Sequence, residues 1–196
     1  MRKTFMLILL GGLLSFIVAC SGGGETSSSS SDGQDSGGEK SEGDRYVIGT
    51  SVPSLEFTFF VATQKEWEKA AEELDVEALF FNGEDNQSKQ NQDIEDMVTR
   101  GVDALVIIPI TTEGVIPAIR YANENGIPVF TVDRSVAEGS DVEIVAHIGT
   151  NHVEMGENAA RKFLEGLEER YPDVEKWKVA ELEGTPGSSA AIERGR

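Results

Sequence analysis

Asp133 and Arg134 stand directly behind an apolar run, residues 127–132. A carboxylate accepts from two neighbouring hydroxyls, and a guanidinium fork donates to others. The pair suits a polyhydroxylated neutral ligand; a solvated loop pair is the competing account of this dipeptide alone. A second cluster, Pro53-Ser54-Leu55-Glu56-Phe57-Thr58-Phe59-Phe60, follows another apolar run. The faces of Phe57, Phe59 and Phe60 could stack on the apolar face of a sugar ring, or could be ordinary core. A third, Gly184-Thr185-Pro186-Gly187-Ser188-Ser189, lacks the lysine of a phosphate-cradling loop. Its free backbone N–H groups at a helix start could still take a hydroxyl or an anion. Reaction chemistry finds little support. His147 and His152 are two lone histidines, and there is no metal-ligand cluster, nucleophile elbow or dinucleotide glycine pattern. No catalytic residue, metal site or cofactor is expected.

The elements that must position these residues alternate. Short β-rich runs at 46–52, 76–81, 103–110, 127–132, 143–148 and 177–182 read as strands. Between them, residues 59–74 carry Val61, Trp67, Ala70, Ala71 and Leu74 on one helical stripe. Asn86 or Ser88 caps a helix running to Arg100, with Gly101 at its C-terminal stop. A third helix spans 112–125, where Pro117 marks either a late start or a kink. Asn151 caps a fourth to about Arg170, and a fifth begins at Ala190. The run DALVIIPI is apolar almost throughout, as in a parallel strand buried on both faces. The alternation predicts an α/β fold with a doubly wound parallel sheet. In such sheets ligands bind at the carboxyl ends of the strands, which here means just after Val52, Phe81, Ile110, Val132 and Leu182.

The first twenty residues are predicted to lie outside that fold. Arg2 and Lys3 precede an uncharged apolar run of 15 residues, Phe5 to Ala19. A membrane-spanning helix needs roughly 20, so the run has the shape of a secretory signal. Ile17-Val18-Ala19-Cys20 resembles the lipobox of bacterial lipoproteins. That resemblance implies lipidation of Cys20, which would become the mature N-terminus. The alternative is a plain signal peptide with an incidental cysteine. Cys20 is the single cysteine, which excludes an intrachain disulfide. Residues 21–44 are Gly, Ser and acids without an aromatic, a composition that reads as a flexible spacer. The net charge is −18, and near −20 without Arg2 and Lys3. Such a surface repels phosphate backbones and anionic lipid, so no nucleic-acid partner is expected and membrane attachment would be through lipid alone.

From Tyr46 onward these motifs, in this order, resemble periplasmic sugar-binding proteins of the ribose-binding type, which serve ABC importers. The resemblance is carried by Phe59-Phe60, Gly101-Val102-Asp103-Ala104-Leu105-Val106-Ile107, Gly126-Ile127-Pro128-Val129 and Thr131-Val132-Asp133-Arg134. Glu181-Leu182-Glu183-Gly184 and Ala190-Ala191-Ile192-Glu193-Arg194-Gly195 extend it to the chain end. It implies the type I two-lobed fold, closing on a small sugar by hinge motion. Phe59, Phe60, Asp133 and Arg134 match first-lobe ligand positions, and Arg194 remains near a second-lobe arginine position. The resemblance further implies a first lobe over 45–150, a crossing at Thr150-Asn151, and the start of a second lobe over 151–196. It implies permease and ATPase partners, a monomer, and an exported protein held at the membrane by its lipid. Sequences of this type continue well past this length, so the second lobe is expected to be incomplete here. There are departures. Pro53 and Phe57 hold places that are polar in ribose binders, and Ile192 replaces an arginine. Ribose is therefore not the expected ligand, or it binds in another pose. A sensory protein presenting a sugar or signal molecule to a membrane receptor is the main alternative. A repressor's effector domain would share the fold, but the export signal and missing DNA-binding helices disfavour it; an exported sugar-processing enzyme lacks its catalytic constellation.

Overall fold

The computed structural model describes residues 44–196. The readings made on the apolar start, on Cys20 and on residues 21–43 lie outside the described residues. Five parallel strands form one sheet in the order β2-β1-β3-β4-β5. They are β1 (Val47–Val52), β2 (Glu77–Asn82), β3 (Ala104–Ile107), β4 (Val129–Val132) and β5 (Ala146–Ile148). The helices between and beyond them are α1 (Thr58–Glu73), α2 (Gln87–Thr99), α3 (Ile116–Glu124), α4 (His152–Arg170) and α5 (Ser189–Arg194).

The pleat sorts side chains to two faces. Val47, Leu79, Leu105, Ile107 and Val129 face α2 and α3, where Ile94, Met97, Val115, Ala118 and Ile119 complete the main core. Residues of opposite parity, Val52, Phe80, Ile108 and Val132, pack around Phe60 of α1 in a smaller core. The expected doubly wound arrangement follows: β1 pairs with β2 on one side and β3 on the other, both in parallel register. With that order the direction in which successive strands are added reverses between β1 and β3, which opens the crevice where such sheets take ligands.

Local signals set the element ends. Asn86 caps α2 by accepting from the Lys89 N–H at 3.1 Å, and Asn151 caps α4 by accepting from the Glu154 N–H at 3.1 Å. Gly101 follows α2 at φ 77°, a left-handed conformation that costs glycine little. Pro117 marks a late start: α3 begins at Ile116, with Pro117 in its first turn where the missing N–H costs nothing.

Two expectations need correction. β3 stops at Ile107 instead of Ile110, because Pro109 has no N–H to continue a ladder. Residues 177–182 form no strand. A strand requires a neighbour's N–H and C=O groups, and none of the described strands pairs with this segment; Leu182 is 98 % exposed.

Candidate ligand cleft at the strand ends

Three connections built from these elements meet at one place. Phe57, Phe59 and Phe60 come from the entry of α1, Asp133 and Arg134 from the end of β4, and Thr185, Ala190 and Arg194 from the loop and helix of α5. Together they line a cleft of about 270 Å³. All six residues singled out in the sequence as ligand contacts are therefore brought together. Wider hollows lie along the outer face of α1 and beside α4, but neither gathers aromatic and charged groups at the carboxyl ends of the strands.

The three phenylalanines differ in environment. Phe60 is 3 % exposed and belongs to the smaller core. Phe57 and Phe59 are 45 % and 57 % exposed, and each meets the Phe60 ring edge-on, with centroids 6.1 and 5.1 Å apart. Such T-shaped contacts fix ring orientation. Phe60 is thus an anchor, and the two rings it supports keep surface for a ligand.

Arg134 is buried. Its Nη1 donates to the carbonyls of Ile110 at 3.2 Å and Pro109 at 3.4 Å, and its Cζ lies 5.6 Å from the Phe60 ring centroid. Its Nε has no hydrogen-bond partner and stands 3.9 Å from Asp133 Oδ2. Burial pushes the guanidinium pKa down from its ordinary value, Asp133 and Asp85 pull it up, and Arg194 pushes it down. The carbonyls that receive Nη1 are themselves fixed. Gln90, fully buried on α2, donates to the Ile108 carbonyl at 2.9 Å and accepts from the Ile110 N–H at 3.0 Å. Gln87 accepts from the Thr111 N–H at 3.0 Å.

Asp133 adopts φ 59°, and across it the Arg134 N–H donates to the Val132 carbonyl at 2.6 Å. This is the rarer, strained kind of three-residue turn. It ends β4 abruptly and turns two consecutive side chains into the cleft. The loop before α5 and the start of that helix are tied to the neighbouring loops: the Thr112 N–H donates to the Gly187 carbonyl, and the Ser135 N–H to Ser189 Oγ, both at 2.9 Å.

Residues 48–195 match the family model described as a periplasmic binding protein domain. This chain belongs to the periplasmic binding protein family. It is 39 % identical over 158 residues to the ribose import binding protein of Bacillus subtilis (strain 168), covering 81 % of this chain and 48 % of that protein. Among solved structures, a galactofuranose binding protein superposes with a TM-score of 0.70 at 25 % identity, over 76 % of this chain and 49 % of the other. The fructose binding periplasmic domain of a hybrid two-component system superposes with a TM-score of 0.68 at 28 % identity, over 76 % and 47 %. The chain spans about half the length of each. The parallel sheet and these structural likenesses agree with the type I fold expected from the sequence.

Sequence reasoning missed three groups of this periplasmic binding protein. Thr185 and Ala190 line the cleft, although the sequence offered them only within the 184–189 loop and the motif at 190–195 and not as ligand contacts. Gln90 was legible in principle: it sits at helical spacing with Ile94 and Met97, a polar residue on an apolar stripe. His152, read as a lone histidine, is buried beside the cleft.

Proposed function

We propose that this protein is an exported solute-binding protein that captures a small sugar in the cleft and delivers it to the permease and ATPase of an ABC importer. One observation carries the reading: the half-exposed rings of Phe57 and Phe59 and the hydrogen-bonding groups of Asp133, Arg134 and Arg194 line a single cleft. A monosaccharide has this dual character, with an apolar C–H face and a rim of hydroxyls. The relatives named for ribose, galactofuranose and fructose support the ligand class. Phe57, Phe59, Phe60, Asp133, Arg134 and Arg194 are the proposed ligand-contact set. The chain acts by binding without turnover or a cofactor, and as a monomer.

The proposed organisation has a signal over 1–20, a spacer over 21–44, a first lobe over 45–150 and the beginning of a second lobe from 151. Thr150 and Asn151 lie between β5 and α4 and would form one hinge strand. Cys20 would carry the lipid that holds the protein at the membrane after export. Intact mass of the protein isolated from its source membrane tests this: an N-terminal Cys20 bearing a lipid adduct supports it, and cleavage elsewhere overturns it.

The test of function is calorimetry of the full chain with a panel of monosaccharides, followed by uptake of the best ligand in cells with and without the gene. Saturable binding with loss of uptake supports transport. The two-component relative favours a second reading, ligand presentation to a membrane sensor. Binding with normal uptake and a lost transcriptional response would select it.

A further inference from the structure

His152 is the first residue of α4, 2 % exposed, and both ring nitrogens are engaged. Nε2 lies 3.1 Å from the carbonyl oxygen of Asp133, and Nδ1 lies 3.1 Å from Arg194 Nη2. A guanidinium has donors and no acceptor, so Nδ1 must accept. A carbonyl only accepts, so Nε2 must carry the proton. The two contacts together select the neutral ring in its Nε2–H form.

What the ring joins is specific. The Asp133 carbonyl belongs to the strained turn that aims Asp133 and Arg134. Arg194 is the contribution of α5 to the same cleft. One helical turn beyond His152, Gly156 leaves the space in which the Arg194 backbone seats, since a Cβ there would collide with the Arg194 carbonyl. The charged groups facing the ring are thus Arg194, at hydrogen-bond distance, and the Asp133–Arg134 pair behind the carbonyl.

We infer that His152 is a positioning residue: in its neutral Nε2–H form it ties the Asp133 turn to Arg194, and so sets the spacing between the first-lobe charged pair and the second-lobe guanidinium. Its importance for ligand affinity rests on the sugar-binding reading above; the tie itself does not.

The test has two arms on the full chain. Long-range proton–nitrogen NMR of the histidine rings reads the tautomer without any ligand. The expected result is a protonated Nε2 and an accepting Nδ1, with the Nδ1 resonance alone shifting in Arg194→Met. A protonated Nδ1, a doubly protonated ring, or an Nδ1 indifferent to Arg194→Met overturns the tie. The second arm titrates D-ribose, D-fructose and D-galactose into wild type, His152→Asn and His152→Gln. Asn keeps an acceptor near the Nδ1 position and Gln a donor near the Nε2 position, so each preserves one contact. Each is expected to weaken the best ligand about ten-fold, while melting stays a single cooperative transition at a somewhat lower midpoint. Unaltered affinity in both variants overturns the positioning role. If no sugar binds wild type, the function proposed above falls, while the nitrogen shifts still decide the tie.

Discussion

The guanidinium of Arg134 stands over the ring of Phe60, 5.6 Å from its centroid, and this contact joins the first turn of α1 to the loop after β4. Both partners are buried, and both belong to the walls of one cleft. Cation–π attraction gains strength when the ion is desolvated. The same burial that opposes the charge of Arg134 therefore ties it more firmly to the aromatic wall. The sheet supplies the geometry, because β1 and β4 flank β3 in parallel and so end at the same carboxyl edge, one strand apart.

Phe60 and Phe59 have separable roles. Phe60→Ala removes the centre of the smaller core and is expected to destabilise the chain by about 3–5 kcal/mol. Phe59→Ala removes a ring that is more than half exposed, so it should leave the melting temperature nearly unchanged while weakening sugar binding. Thermal melts beside calorimetry on both variants check this. A Phe59 variant that loses stability as Phe60 does would refute the division.

Gln90 acts at one remove from the cleft. Gln90→Leu keeps the volume on the apolar stripe but leaves the Ile110 N–H and Ile108 carbonyl unpaired. Each buried unpaired group costs roughly 1–3 kcal/mol. The β3–α3 loop that receives Arg134 Nη1 should loosen as well. Chemical denaturation should show the loss, and hydrogen exchange should rise at Ile110 and Thr111. Unchanged exchange there would mean the loop is held by other contacts.

These side chains mark how far the sequence could be read. Asn86, Asn151, Gly101 and Pro117 act locally, through caps and fixed backbone angles, so their effects were visible in neighbouring residues. The six cleft residues were legible because strand ends and family motifs coincide at them. The partners of His152 and Gln90 were not, since they lie 19 and 20 residues away and only the fold brings them together; for Gln90 the sequence showed no more than a polar residue on an apolar stripe. Residues 177–182 show the opposite failure: an apolar alternating segment has strand propensity, but a strand also needs a partner.

Acid should weaken one surface tie. Arg120 Nη2 donates to Asp141 Oδ1 at 2.6 Å and holds the Asp141 carboxyl below its ordinary pKa. A depressed folded-state value means the stabilisation is present above the unfolded value and is lost as pH falls through the folded one. The pair is solvent-exposed, so its contribution is small and screened by salt. Asp141→Asn should therefore flatten slightly the fall in melting temperature between neutral and strongly acidic pH, and high salt should erase the difference. A difference that persists in high salt would point to a structural role for Asp141 beyond this pair.

The ligand should not be ribose in the family's usual pose, despite the likeness to a ribose import binding protein. On the resemblance drawn from the sequence, Pro53 and Phe57 hold places that are polar in ribose binders. Pro53 has no N–H and uses its carbonyl to accept from the Asp85 N–H at 2.7 Å, while Phe57 presents a ring to the cleft. Ile192, which on the same resemblance holds the place of an arginine, lines a separate hollow with Thr111 to Gly114. Sugar hydroxyls that met those polar groups would be buried without partners, at roughly 1–3 kcal/mol each. A ligand with fewer hydroxyls on that side, or with a larger apolar face, loses less. Calorimetry of the full chain with D-ribose should give binding weaker than micromolar, and tighter binding to another monosaccharide in the same panel. Submicromolar ribose affinity would refute the prediction and show that backbone groups or water replace the lost side chains.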